Sequence, residues 1–268
     1  MTLLNWIKVN IFGFAVPPYG TKKFGKHPKK TDRKNRTLQL SKYTTEMAPP
    51  PTAYNLLDDV SSRVKPNDVP TLFGMLGNDK YGNCVMVGGA HFLTLWNALL
   101  GILKLFTTCF VVKWYKKLTG GGDNGLNMLD VLKQWVNDEI LGESIIAFAE
   151  IDPRDHMNVM RAISVFKGAY LGFNVQQDCM ADFDAIPKIM WTPGILTNDG
   201  HCVDGVAYNS SKVTVLTWAD KQDGSWDWWD ECVDECYVII PKEAEDPNFA
   251  PGFDLESLKT DLAFVQKQ

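Results

Sequence analysis

None of the six cysteines, Cys84, Cys109, Cys179, Cys202, Cys232 and Cys236, belongs to a Cys-x-x-Cys pair, and no paired spacing of metal ligands occurs in the 268 residues. Zinc-ribbon and dithiol redox motifs are therefore excluded, and no metal or cofactor is expected. The apolar stretch over residues 1–20 is interrupted by Lys8 and Asn10, and no charged leader precedes it. A secretory signal is thus not expected, and six free thiols fit a reducing setting such as the cytoplasm. Residues 84–112 are long and apolar enough to raise a membrane span, but His91, Asn97 and Lys104 punctuate them and Gly101 splits them. A buried core helix, and no membrane, is the expectation. No internal repeat is present.

The chain does not lack apolar or aromatic residues. It is 45% hydrophobic with nine tryptophans, which excludes a disordered chain and supplies one large core or two lobes sharing a cleft. Its net charge of −5 is unevenly placed. Residues 1–52 carry ten Lys/Arg against two Asp/Glu, leaving 17 and 30 for the rest, so a basic arm precedes an acidic body.

Within that arm, residues 21–36 hold eight basic side chains and one acidic, and "EMAPPPTAYN" at 46–55 reads as an extended proline linker. The expected division is an N-terminal arm over 1–55 and a compact body over 56–268. The run behind Cys84 predicts a helix to about Leu103. Further helices are expected over Thr108–Leu118, capped by Thr108, over residues 126–140, and over 155–168, capped by Asp155. Strands are expected at 145–151 and 169–175, then a hairpin from "HCVDGVAYN" to "KVTVLTW" through "NSS". A short aromatic helix, "SWDWWDECVD", precedes a last strand, "CYVII". Helices dominate the first half and strands the second, which points to an α+β chain with a helical lobe and a sheet lobe.

Cys84 stands out because the loop "GNDKYGN" delivers it to the first turn of the long apolar helix. Free backbone N–H groups and the positive end of the helix dipole make a thiol there easier to ionise, and the thiolate is the nucleophile. Against this, free cysteines are commonly buried and inert. His201 opens a strand after the flexible Asp199-Gly200, a setting that suits an aimed imidazole. His27, His91 and His156 sit in the arm, inside the helix and at a helix start.

Taken together, these two segments resemble the papain-like cysteine peptidase superfamily. Asn78-Asp79-Lys80-Tyr81-Gly82-Asn83-Cys84 is similar to its Gln-x-x-x-Gly-x-Cys loop. His201-Cys202-Val203-Asp204-Gly205-Val206-Ala207-Tyr208 is similar to its histidine strand, and Leu216-Thr217-Trp218-Ala219 is the counterpart of its Asn-Ser-Trp-Gly. Order and spacing hold over about residues 70–240. The "GN(D)xxGxC" loop also resembles poorly characterised bacterial and phage proteins.

The resemblance implies a two-lobe α+β fold in which Cys84 attacks an acyl carbon and His201 carries the proton. Asn78 would stand for the family's glutamine as oxyanion donor, and Trp218 would shield the pair from water. Leu216 falls where the family has its orienting asparagine, leaving Thr217 or Asp220 as substitutes and weak or lost catalysis as the expectation. Tyr81 replaces the family's cysteine three before the nucleophile, so that structural disulfide is absent.

Two functions follow as expectations. One is a thiol hydrolase of peptide or amide bonds with a peptide substrate. The other is a non-enzymatic component of a larger assembly, such as a phage head or tail protein, that reuses the fold. In the second, the arm binds protein neighbours in a homo- or hetero-oligomer, in preference to nucleic acid. A peptidase propeptide is a third, less favoured reading of the arm.

Overall fold

The computed structural model describes residues 22–31, 37–64 and 72–266; the apolar stretch over 1–20 and the end of the basic run lie outside the described residues. Seven strands form one antiparallel sheet: β1 (Tyr54–Asn55), β2 (Ala147–Ile151), β3 (Ala169–Gln176), β4 (Leu196–Tyr208), β5 (Lys212–Thr217), β6 (Asp220–Ser225) and β7 (Val233–Ile240). Their order is β2-β7-β3-β4-β5-β6, with β1 on β4. The helices described are α1 (Leu56–Ser61), α2 (Cys84–Leu99), α3 (Thr108–Leu118), α4 (Met128–Asn137), α5 (His156–Ser164), α6 (Cys179–Asp184), α7 (Trp226–Cys232) and α8 (Leu255–Gln266). The chain is α+β, with α2 to α4 between β1 and β2 and short helices interleaved among the later strands.

Every residue of α2 except Asn97 and Leu99 is buried, as an apolar sequence without a polar face requires of a central helix. It is stitched to the sheet where the Tyr170 hydroxyl of β3 donates to the Val85 carbonyl at 2.6 Å. The helix stops at Leu99 rather than Leu103, because Gly101 takes a left-handed φ of 74° and turns the chain. No helix among the described residues is long and apolar enough to cross a membrane.

Local signals set the other starts. The Thr107 side chain, one residue ahead of the expected cap, accepts the Phe110 N–H at the head of α3. Asn127 and Asp155 cap α4 and α5 through the N–H groups of Asp130 and Asn158. Helices α1, α6 and α8 and strand β6 were not foreseen. The two six-residue helices carry too few turns to show a period, and β6 reads "DKQDGS", a polar edge strand that only pairing with β5 defines.

The described part of the first 55 residues does not stand off from the body. Leu40 and Tyr43 are fully buried in the main core, with Met47 beside them. The Glu150 N–H of β2 donates to the Leu38 carbonyl at 2.7 Å, and the Tyr43 hydroxyl donates to Asp261 of α8 at 2.8 Å. Leu40→Ala should therefore cost about 2–5 kcal/mol, read as a lower urea midpoint at unchanged slope. An unchanged midpoint would show that residues 37–50 contribute nothing to the core.

Candidate functional site

The loop before α2 is fixed by hydrogen bonds at both of its ends. Asn83 donates through Nδ2 to the Leu76 carbonyl at 3.0 Å. The Asp123 carboxylate accepts from the Gly82 N–H at 2.9 Å and from the Tyr115 hydroxyl of α3 at 2.7 Å. Cys84 thereby begins α2 facing β4. It shares one cavity, of about 10 Å³, with Asn78, His91, His201, Thr217 and Trp218. That volume holds at most a single water.

His201 is 1% exposed and held at one edge of its ring. Its Nε2 lies 2.8 Å from the Thr217 hydroxyl, while its Nδ1 has no hydrogen-bond partner among the described residues. Leu216, at the place of the expected orienting asparagine, is buried apolar core, and the next residue makes the bond instead. The reason is the turn behind it: Trp218 and Ala219 both take positive φ, 46° and 65°, in a two-residue hairpin loop between β5 and β6. This turn also lays the Trp218 indole on the imidazole, with centroids 4.6 Å apart and planes 19° from parallel. Asp220 does not join them: it is exposed at the start of β6 and faces Lys188 at 3.5 Å. The expectation that Asp220 orients or shields His201 is thus corrected.

The expectation that the helix end makes Cys84 easy to ionise is also corrected. Burial pushes its thiol up, outweighing backbone hydrogen bonds from Cys202, Gly25 and Val85 and the charge on Lys26, which pull the other way. Burial lowers His201 to about 3. In this state the pair is a neutral thiol beside a neutral imidazole. In the same cavity, His91 is lowered to about 4 by burial, and burial also raises the carboxyl of Asp204, 3.7 Å from its Nδ1.

What covers the pair is the chain's own residues 22–27. Gly25 sits so close to the loop of Cys84 that a Cβ on it would come 1.9 Å from the Gly82 carbonyl oxygen. The Lys26 N–H donates to the Gly200 carbonyl at 3.1 Å, one residue before His201. The Leu126 N–H donates to Gly25 O at 2.8 Å, and the His27 N–H to Leu126 O at 2.9 Å. Phe24 meets the His201 ring edge-on, with centroids 5.5 Å apart. Asn78 donates through Nδ2 to the Lys23 carbonyl at 3.0 Å and to the Tyr81 carbonyl at 3.1 Å, so its short side chain does reach a peptide in the cleft. This strap bridges the helical side and the sheet side, and Phe24 and Gly25 interrupt the run that the sequence analysis reads only as a charged span.

Lys22, Lys26, Lys29 and Lys30 of the strap and its continuation meet acidic groups of the same chain, Lys22 pairing with Asp184. Lys26 lies 2.9 Å from Asp234, Lys29 pairs with Glu150, and Lys30 lies 2.6 Å from Asp130. The cysteines other than Cys84 contribute no second site. Cys109 is exposed on α3, the remaining four are buried, and no group of three or more His, Cys, Asp or Glu among the described residues is placed to hold a metal ion.

No protein-family model and no curated protein matches the sequence. Solved structures do match in three dimensions. Xylellain, a cysteine protease from Xylella fastidiosa, superposes with a TM-score of 0.59 at 14% identity, over 85% of this chain and 99% of that one. The Carica candamarcensis cysteine protease CMS1MS2 is similar at a TM-score of 0.46 and 10% identity, over 71% of this chain and 99% of that one. A central helix begun by Cys84, an antiparallel sheet carrying His201, and the superposition on xylellain together establish that the chain has the papain-like cysteine peptidase fold.

Proposed function

We propose that the chain is a thiol hydrolase of peptide or amide bonds, held closed by its own residues 22–27. The observation that carries this reading is the shared cavity of Cys84 and His201, with the imidazole held at Nε2 by Thr217 and its Nδ1 left unpartnered. When Nε2–H donates to the Thr217 hydroxyl, the Nδ1 lone pair is free to take the Cys84 proton as sulfur attacks an acyl carbon. Asn78 and the Cys84 backbone N–H would receive the oxyanion. His201 then returns the proton to the leaving amine, and water releases the acyl group by the reverse course.

The same geometry gives a reason why the strap is a poor substrate. The hydrogen bond reaching the sulfur from the strap comes from Gly25, whereas Asn78 holds the carbonyl of Lys23, two residues earlier. Attack requires one carbonyl to occupy both places. Thr217 is a positioning residue, and a weak one: a neutral hydroxyl can donate as well as accept, so it does not enforce the productive tautomer as a carboxylate or amide oxygen would. Slow turnover follows from both features.

The test is hydrolysis of a mixed peptide library by the full chain and by Gly25→Val, whose added bulk cannot fit against Gly82. Gly25→Val should cleave, the intact chain should cleave far more slowly, and Gly25→Val with Cys84→Ala should be inert. A folded Gly25→Val chain without turnover would favour the assembly reading, in which the pair is a relic.

Thr217 gives a second prediction. In the opened chain, Thr217→Val should lower kcat on the order of 10²-fold, with KM little changed, and Thr217→Ser should restore it. A purely structural role would move stability and leave the valine and serine variants alike in kcat.

A further inference from the structure

We infer that the cleft is built to take a cationic side chain, and that the substrates of this site are peptides carrying a lysine where Lys26 now lies. This rests on the reading of the cleft as a peptide-binding site and adds what that peptide must carry.

The Lys26 side chain is 0% exposed, with Nζ 2.9 Å from Asp234 Oδ2 and 3.1 Å from Glu235 Oε1. Asp234 and Glu235 are neighbours on β7 and would ordinarily point to opposite faces of the sheet. A bulge changes this. Gly172 of β3 pairs with Glu235, but Phe173 pairs with Val233, so Asp234 is the extra residue and both carboxylates come to one ammonium. The stem of the lysine has its own channel: a Cβ on Gly172 would come 2.0 Å from Lys26 Cε and 2.5 Å from Cδ. Any other residue at 172 would close the pocket.

The electrostatics favour a cation at the end of this channel. Burial raises Glu235, and Lys26 opposes that rise. Burial pulls Lys26 down, yet Glu235 and Asp234 win and hold it above its usual value. The Glu235 side chain is 0% exposed, and its Oε2 is already engaged by the Tyr237 hydroxyl at 2.9 Å, leaving Oε1 facing the ammonium. If the strap leaves, two carboxylates stay at the end of a channel shaped for a linear stem. A buried pair broken on one side is costly, so a replacement for the strap that brings a cation is favoured over one that does not.

The experiment uses the full chain opened by Gly25→Val and a fluorescent peptide copying residues 22–31, with binding read by anisotropy. The peptide should bind the opened chain. The same peptide with norleucine in place of Lys26 should bind roughly tenfold or more weakly, and this preference should collapse in Gly25→Val with Glu235→Gln. Equal or tighter binding of the norleucine peptide, or no binding by the opened and folded chain, would overturn the inference. Should Gly25→Val fail to fold, Phe24→Ala with Lys26→Ala opens the same cleft by removing contacts, and the comparison is repeated there. Because no turnover is involved, an inert Cys84 leaves this result readable: failure of the hydrolase reading appears in cleavage, and failure of the lysine pocket in binding.

Discussion

The contact on which the site depends is that of the Gly25 backbone with Gly82 and the sulfur of Cys84. It removes water from a thiol and an imidazole at once. Burial disfavours the charged form of each, raising the cysteine and lowering the histidine, so the pair rests as two neutral groups. The helix dipole behind Cys84 acts in the opposite direction and loses, because its effect is of order 1 kcal/mol whereas full desolvation shifts pKa values by several units. On the proposed reading, taking the strap away would return water to both groups and relax both shifts.

The strap can reach this place because both walls present bare backbone. Gly82 and Gly25 meet without side chains, Gly200 offers its carbonyl to Lys26, and Leu126 offers both its N–H and its carbonyl. Such an arrangement is sequence-tolerant along the backbone and selective only where a side chain finds a pocket, which here is the channel of Lys26. On the proposed reading, main-chain pairing would hold a peptide while one buried ion cluster would choose it, the division of labour seen when peptides add to an exposed backbone edge.

Cys84 and His201 were legible because each is announced locally. One follows a polar glycine-marked loop at the head of an apolar run; the other follows Asp199-Gly200 at the start of an alternating strand. Thr217 was legible as a substitute but not as the residue that bonds the ring, since that depends on two positive-φ residues behind it, and neither Trp218 nor Ala219 is a type that signals such a turn. The Asp234–Glu235 cluster was not legible at all, because a bulge reverses the alternation by which adjacent strand residues are sorted to faces. The acidic balance of the body was plain in the composition. Which carboxylates meet which lysines is a matter of long-range register, and sequence periodicity carries none of it.

The most direct measurement is the pH dependence of iodoacetamide alkylation at Cys84, followed by mass spectrometry with exposed Cys109 as internal reference. In the intact chain the buried, raised thiol of Cys84 should react more slowly than Cys109 at neutral pH and gain rate only as pH rises, since a raised pKa leaves less thiolate. In the Gly25→Val chain, with water and His201 both available to the sulfur, Cys84 should overtake Cys109 and react at lower pH. An intact chain in which Cys84 already alkylates faster than Cys109 at neutral pH would contradict the account, for the thiol would then be neither covered nor held neutral by residues 22–27.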